Sequence, residues 1–173
     1  MSDPEFKLPE SLSSKKAAVG LVLGSGLGGF IDSLSDLTSV SYVDIPGLPM
    51  SRAPGHAGCL HHGRLSGVEL LIAQGRVHLY EGWTAAEAAA PVRLFHELGV
   101  ETVVLTNAAG IVNANFKPGR WMVLSDHLNL ARQSPLSGSS TFIDQSEVYA
   151  GTLRELLRGE ANELALPPLH LRS

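Results

Sequence analysis

The stretch Ala17–Gly29, with the sequence AAVGLVLGSGLGG, decides the fold class. Its first half is a continuous apolar run of the length of one strand. Such a run is typical of a strand that is buried on both faces, as in α/β sheets. The glycine-rich turn that follows leads into a short helix predicted over 27–34, and this arrangement directs backbone N–H groups at an anion. The hydroxyl of Ser25 adds a further donor to the same turn.

The same turn also matches the G-x-G-x-x-G pattern of dinucleotide-binding folds, at Gly24, Gly26 and Gly29. Asp44 follows a predicted strand over 40–43, and it lies about 20 residues after the first glycine, as that pattern requires. Nicotinamide binding by an oxidoreductase is therefore one alternative that these residues leave open. A tight turn that binds no ligand is the other.

A second stretch, Gly75–Gly82 (GRVHLYEG), follows a strand predicted over 68–73. Arg76, His78 and Tyr80 are spaced by two, and alternate side chains of an extended segment point to the same face. A cation, an imidazole and a phenol would then line one wall, which suits an anion held next to a sugar. The alternative is a polar strand edge with a salt-bridged arginine and a solvated histidine.

Further elements follow from hydrophobic pattern, turn residues and caps. Residues 59–65 form a predicted strand that pairs with the strand over 68–73 through a Ser-Gly hairpin turn. Thr84 and Glu87 make a capping box for a helix over 84–98, in which Pro91 predicts a kink or a second start. The remaining predicted elements are a first helix from about Pro9, strands over 102–105 and 121–124, and a helix over 144–166.

Composition limits the classes of protein that the chain can belong to. It has 173 residues, of which 44% are hydrophobic, and this suits one domain with a packed core. A net charge of -4 without a basic stripe argues against nucleic-acid binding. The single Cys59 fits a reducing, cytoplasmic setting. No apolar run reaches the roughly 18 residues of a membrane span, so we expect no membrane association.

The domain organisation predicted from the sequence is simple. Residues 1–16 are polar, lack the apolar core of a signal peptide and read as a lead-in segment. Residues 17–173 are predicted to be part of one α/β domain.

The histidines differ in what their surroundings predict. His61 and His62 are adjacent in a predicted strand, so their side chains point to opposite faces and cannot bind one metal ion together. We interpret both as structural, and no metal site is predicted. His56 stands in a loop between glycines, where it is either a site residue or solvated.

Five motifs, taken in order, resemble the trimeric purine nucleoside phosphorylase family, which is related to the methylthioadenosine phosphorylases. The motifs are GSGLG at 24–28, GHAG at 55–58, GRVHLYEG at 75–82, TNAAG at 106–110 and SDHLNL at 125–130. The resemblance implies a nucleoside phosphorylase-like α/β fold, with a three-layer mixed β-sheet flanked by helices. Members of the family continue beyond the length of this chain, so the fold is expected to be C-terminally incomplete, ending where the next strand should begin.

The resemblance also implies a role for each matching residue. Ser25, His56, Arg76 and the backbone N–H of Ala108 would bind phosphate. His78 and His56 would be catalytic, with His78 on the ribose–phosphate side. The other implied contacts are Tyr80 and Phe142 with the ribose, and Ala109 and Gly110 with the purine.

The reaction that the resemblance implies is phosphorolysis of purine nucleosides such as inosine and guanosine, in purine salvage. It needs inorganic phosphate as a co-substrate and no metal or organic cofactor. The segment around Phe142 resembles the one that reaches a neighbouring subunit's sugar site, which implies a homotrimer. The residues that read the purine lie beyond this chain, so a phosphate- or nucleotide-binding remnant without catalysis is the alternative.

Overall fold

The computed structural model describes residues 6–50, 58–140 and 142–164, together with the backbone of 170–172. The chain divides into two compact units, 1–108 and 109–173. The first unit carries a five-stranded sheet and the second a small sheet and one long helix. The prediction of one domain over 17–173 stays a prediction.

The sheet of the first unit is mixed, with strand order β2-β3-β4-β1-β5. The strands are β1 Val19–Leu23, β2 Ser35–Ser41, β3 Cys59–Leu65, β4 Val68–Gln74 and β5 Thr102–Leu105. β1 lies between β4 and β5 and is parallel to both. β3 is antiparallel to β4 and to β2. The predicted mixed sheet is confirmed, and three neighbouring strands share one direction.

The hairpin of β3 and β4 forms as the sequence predicts. Ser66 and Gly67 connect the strands, with φ of 50° and 84°. Two consecutive positive φ angles are the geometry of the type I′ turn that matches strand twist. Cys59 is therefore opposite Gln74, so β3 begins at the edge of the sheet where β4 ends.

Helices cover one face of this sheet. α1 spans Glu10–Ser13, α2 spans Ala85–Ala88 and α3 spans Ala90–Glu97. The side chain of Thr84 and that of Glu87 cap α2 reciprocally, which confirms the capping box. Pro91 lies in the first turn of α3, where its missing N–H costs nothing, so the second helix start is confirmed.

Two apolar clusters lie on opposite faces of the sheet. One face packs against α1 and α3, and Leu12, Leu94 and Phe95 are almost fully buried there. Phe6 joins this cluster, so the lead-in segment contributes to the core. The other face packs Ile72 against Ile31, which lies in a 3₁₀ helix at Gly28–Ser33. The layers are thus helix, sheet and a short 3₁₀ segment.

The turn after β1 leads into the 3₁₀ helix Gly28–Ser33, flanked by Leu27 and Leu34, which confirms the short helix predicted over 27–34. Another local prediction in the first unit needs correction. The strand predicted over 40–43 begins earlier and ends at Ser41. Tyr42–Asp44 form a 3₁₀ turn in which the buried Tyr42 leaves the strand direction.

The second unit contains β6 Met122–Leu124, α4 Gly151–Glu163 and β7 His170–Arg172. β6 and β7 pair in parallel as a separate two-stranded sheet. The helix predicted over 144–166 begins seven residues late, because Asp144 accepts hydrogen bonds from Ser146 in a local turn that competes with helix. The three-residue strand β7 lies at the point where the sequence analysis expects the next strand to begin.

Candidate anion-binding site

Three loops of the first unit begin at the carboxyl ends of three neighbouring parallel strands. Gly24 follows β1, Gly75 and Arg76 follow β4, and Thr106 follows β5. Because β1 is parallel to both neighbours, all three loops leave the sheet at the same edge. This edge is where open α/β sheets bind ligands. The loops that the sequence analysis selected one by one therefore meet in one place.

Thr106 links the loops to one another. Its hydroxyl donates to the carbonyl of Val22 at 2.9 Å and accepts from the N–H of Gly24 at 2.8 Å. Its own carbonyl accepts from the Arg76 guanidinium at 2.6 Å. One residue thus bonds to the end of β1, the glycine turn and the arginine. In the sequence, Thr106 stood out only as the first residue of the motif TNAAG, which does not indicate this role.

The glycine turn passes very close to the backbone after β5. A Cβ atom at position 24 would lie 2.6 Å from the carbonyl oxygen of Thr106 and 2.8 Å from the Cα of Asn107. Both distances are well inside van der Waals contact with backbone atoms that have little freedom to move. A side chain is therefore excluded at Gly24 by the neighbouring loop.

Arg76 is held on both sides. Tyr42, which is buried, donates its phenol hydrogen bond to the carbonyl of Gly75 at 3.1 Å. Burial raises the pKa of the Tyr42 phenol, and the nearby Cys59 adds to the rise, so the hydroxyl remains a donor. The bond from Tyr42 thus fixes the backbone just before Arg76, and the bond to Thr106 fixes the guanidinium at the carboxyl end of β4. A guanidinium has five N–H donors, so one bond to a carbonyl leaves others for an anion.

His78 and Tyr80 do not continue the extended wall that the sequence predicts. The backbone is extended at His78, but Leu79–Glu81 form a 3₁₀ turn. The rings of His78 and Tyr80 are stacked, with centroids 4.9 Å apart and planes 17° from parallel. Arg76 bonds elsewhere, to Thr106. The expected same-face row of three is wrong because the turn intervenes.

Glu81 supplies a partner for the imidazole that the sequence analysis did not assign. Its carboxylate lies 3.0 Å from His78 Nδ1 and accepts the backbone N–H of His78 at the same distance. A carboxylate at Nδ1 favours the proton on that nitrogen, which leaves Nε2 of the neutral ring as an acceptor. Glu81 stands three residues after His78, as in a capping box, and this spacing could have predicted the contact from the sequence.

The other predicted site residues lie as follows. Ser25 and Ala108 are exposed residues of the glycine turn and of the loop after β5. His56 lies outside the described residues. Ala109 and Gly110 are exposed and begin the second unit, and Phe142, in the same unit, has a side chain that is 99% exposed.

The topology excludes the dinucleotide interpretation of the glycine turn. A dinucleotide fingerprint belongs to a βαβ unit, in which the next strand is parallel to the first and the acidic residue follows it. Here β2 is antiparallel to β3 and is separated from β1 by two strands. Asp44 lies in a 3₁₀ turn after β2 and not at the end of a strand next to β1.

The paired histidines of β3 point to opposite faces, as predicted. His62 lies 2.9 Å from Glu69 on β4, and His61 bonds to Ser39 and Gln74. Within the described part of the chain, no group of three His, Cys, Asp or Glu side chains could hold a metal ion. None of the helices described there has the length and apolar character to cross a membrane.

Comparison with known proteins agrees with this geometry. The model of the phosphorylase superfamily matches residues 18–171. Purine nucleoside phosphorylase 1 of Geobacillus stearothermophilus is 43% identical over 154 residues, which cover 86% of this chain and 56% of that protein. Purine nucleoside phosphorylase of Bos taurus is 44% identical over 154 residues, 84% of this chain and 53% of that protein.

A solved structure gives the same result. The structure of schistosoma purine nucleoside phosphorylase in complex with hypoxanthine superposes with a TM-score of 0.81 at 33% identity, covering 90% of this chain and 58% of that one. The chain therefore belongs to the phosphorylase superfamily. Within that superfamily, the proteins that it resembles are the purine nucleoside phosphorylases. The chain spans about half the length of the curated relatives it matches.

Proposed function

We propose that this protein is a purine nucleoside phosphorylase, which cleaves purine ribonucleosides or deoxyribonucleosides with inorganic phosphate to free base and (deoxy)ribose 1-phosphate. The observation that carries the proposal is the meeting of three loops around Thr106 at one edge of the sheet. Similarity to purine nucleoside phosphorylases, one of them solved with hypoxanthine, supports the choice of substrate.

The phosphate would bind between the glycine turn and Arg76. Three donors would contact the phosphate. The Ser25 hydroxyl is a neutral donor, the Arg76 guanidinium is a cation, and the N–H of Ala108 is a backbone donor. Charge-assisted hydrogen bonds of this kind are about twice as strong as neutral ones. His56 is proposed as a further ligand of the phosphate and as a catalytic residue.

The proposed reaction uses the bound anion twice. As the purine departs, positive charge develops on the ribose, and phosphate held nearby stabilises that charge. The C–N bond to the base breaks, and the base leaves with the bonding electrons and takes up the proton that hydrogen phosphate loses. The phosphate oxygen forms the new bond to the anomeric carbon. His78, oriented by Glu81, would contact the ribose–phosphate side. Tyr80, stacked on His78, would contact the sugar.

The remaining assignments concern the second unit and the assembly. Ala109 and Gly110 are proposed to border the purine, and Phe142 to contact the ribose. The full exposure of Phe142 is consistent with a contact to another subunit, as in the proposed homotrimer. A cytoplasmic location and a role in purine salvage accompany this proposal.

The test is release of hypoxanthine from inosine by the purified 173-residue chain, with and without phosphate. Arg76→Ala should lower phosphate-dependent turnover by about 100-fold or more, as loss of one stabilising donor does in other enzymes. Arg64→Ala is the matched control. Arg64 belongs to the same sheet and makes an ion pair with Glu69, but it lies at the opposite end of β3 from Cys59 and so away from the edge that carries Arg76. Turnover without phosphate, or equal activity of the two variants, would refute the proposal.

A second candidate function is phosphate binding without catalysis. It is favoured by one observation: the glycine turn, Arg76 and the loop to Ala108 all belong to the first compact unit. Calorimetric titration of the chain with inorganic phosphate separates the two. Binding that Arg76→Ala weakens, without release of hypoxanthine, would select the second candidate.

A further inference from the structure

A chain of hydrogen bonds crosses the first unit from the edge strand β2 to the glycine turn. Ser39 Oγ lies 2.7 Å from His61 Nδ1, and His61 Nε2 lies 2.8 Å from Gln74 Oε1. Gln74 Nε2 donates to the carbonyl of Gly28 at 3.4 Å. Gly28 is the first residue of the 3₁₀ helix that follows the turn.

The hydrogen-bonding capacities give this chain one direction. An amide oxygen only accepts and an amide nitrogen only donates, so Gln74 must turn its nitrogen to the carbonyl of Gly28. Its oxygen therefore faces His61, and Nε2 of that ring must carry the hydrogen. In the neutral ring Nδ1 then accepts, and the Ser39 hydroxyl donates to it. A reversed Gln74 would place two acceptors together at Gly28.

The environment favours the neutral ring that this direction requires. His61 is only 5% exposed, and the two side chains that hydrogen-bond to its ring, Ser39 and Gln74, are uncharged. Burial lowers the pKa of His61, while the bond to Gln74 opposes that shift. The imidazole of His61 thus links the side chains of Ser39 on β2 and Gln74 on β4.

We propose that His61 is a positioning residue for the anion-binding turn: through Gln74 it holds the Gly28 carbonyl and so fixes the turn Gly24–Gly29. This inference rests on the proposed function only for the identity of the anion. His61 would touch neither phosphate nor nucleoside. Its removal should loosen the turn and weaken phosphate binding, and leave the other face of the sheet unchanged.

The first readout is amide hydrogen exchange without any ligand. The N–H of Leu27 donates to Gly24 and that of Phe30 to Leu27, so both amides report on the turn. In His61→Leu, exchange at these two amides should accelerate about five- to tenfold, the factor that one hydrogen bond carries. His61→Gln should restore the parent rates, since its amide can donate to Gln74 and accept from Ser39.

The control is His62→Leu, the same substitution in the same strand at equal burial but on the opposite face. It should leave exchange at Leu27 and Phe30 unchanged. Ser39→Ala is a second variant in case His61→Leu does not fold, because Ser39 is exposed on the edge strand. It should accelerate exchange at the same amides by removing the donor to Nδ1. Unchanged exchange in both His61→Leu and Ser39→Ala, or equal acceleration in His62→Leu, would overturn the inference.

The second readout is calorimetric titration with inorganic phosphate. We expect His61→Leu to raise the phosphate Kd about five- to tenfold and His61→Gln to bring it back. If the parent chain bound no phosphate while exchange still accelerated, the positioning role would hold and the proposed function would fail. If the parent bound phosphate and His61→Leu changed neither readout, the positioning role would fail and the function would stand.

Discussion

The two ends of the glycine turn should respond very differently to one added methyl group. In Gly24→Ala the new Cβ would lie 2.6 Å from the Thr106 carbonyl oxygen. In Gly29→Ala the nearest atom within reach is the Asp32 carboxylate at 3.9 Å, which is ordinary contact. Gly29→Ala is therefore a matched control within the same turn.

The expected size follows from the contacts. Relieving an overlap with backbone atoms costs about 1–3 kcal/mol. If the turn moves away, the bond from the Gly24 N–H to the Thr106 hydroxyl is also lost, which adds about 1 kcal/mol. The free energy of unfolding should thus fall by about 2–4 kcal/mol in Gly24→Ala. In Gly29→Ala it should change by less than about 0.5 kcal/mol.

Urea denaturation followed by circular dichroism measures this difference. With a denaturant slope of about 2 kcal/mol/M, the midpoint of Gly24→Ala should lie about 1–2 M below that of the parent. Phosphate affinity should fall in the same variant, because Ser25 moves with the turn. A midpoint for Gly24→Ala equal to that of Gly29→Ala would refute the close approach of the two loops.

Three further predictions concern the same unit. Thr106→Val keeps the shape but removes the hydroxyl that serves Gly24 and Val22, so we expect a loss of about 1–3 kcal/mol in urea unfolding. Phe95→Ala, at a fully buried ring, should cost about 3–5 kcal/mol, whereas Val92→Ala on the exposed side of α3 should cost less than about 1 kcal/mol. Because burial lowers the pKa of His61, the unfolded chain takes up its proton first, near pH 6.5, and stability should fall as the pH drops below that value. Urea midpoints between pH 5 and 7.5 should show this fall, with a shallower slope in His61→Gln, and equal slopes would contradict the assignment.

Signals confined to a few neighbouring residues determined much of the first unit. The apolar run before Gly24 predicted β1, the Ser66–Gly67 pair predicted the hairpin, and Thr84 with Glu87 predicted the start of α2. Each rests on hydrophobic burial, turn geometry or a cap, which depend on residues only a few positions apart. The same logic failed at Asp144, where a local side-chain bond displaced the start of the helix.

The connections within the candidate site come only from the tertiary structure. Gly24 and Thr106 are 82 positions apart in the chain, and Arg76 and Thr106 are 30 apart. No spacing rule relates such residues, because they meet only when parallel strands place their carboxyl ends side by side. His61 was read from its strand as merely structural, and its link to the turn through Gln74 depends on the register of β3 and β4. The sequence alone thus determined which loops carry the candidate anion-binding residues, and the sheet decided that these loops share one edge and which side chains join them.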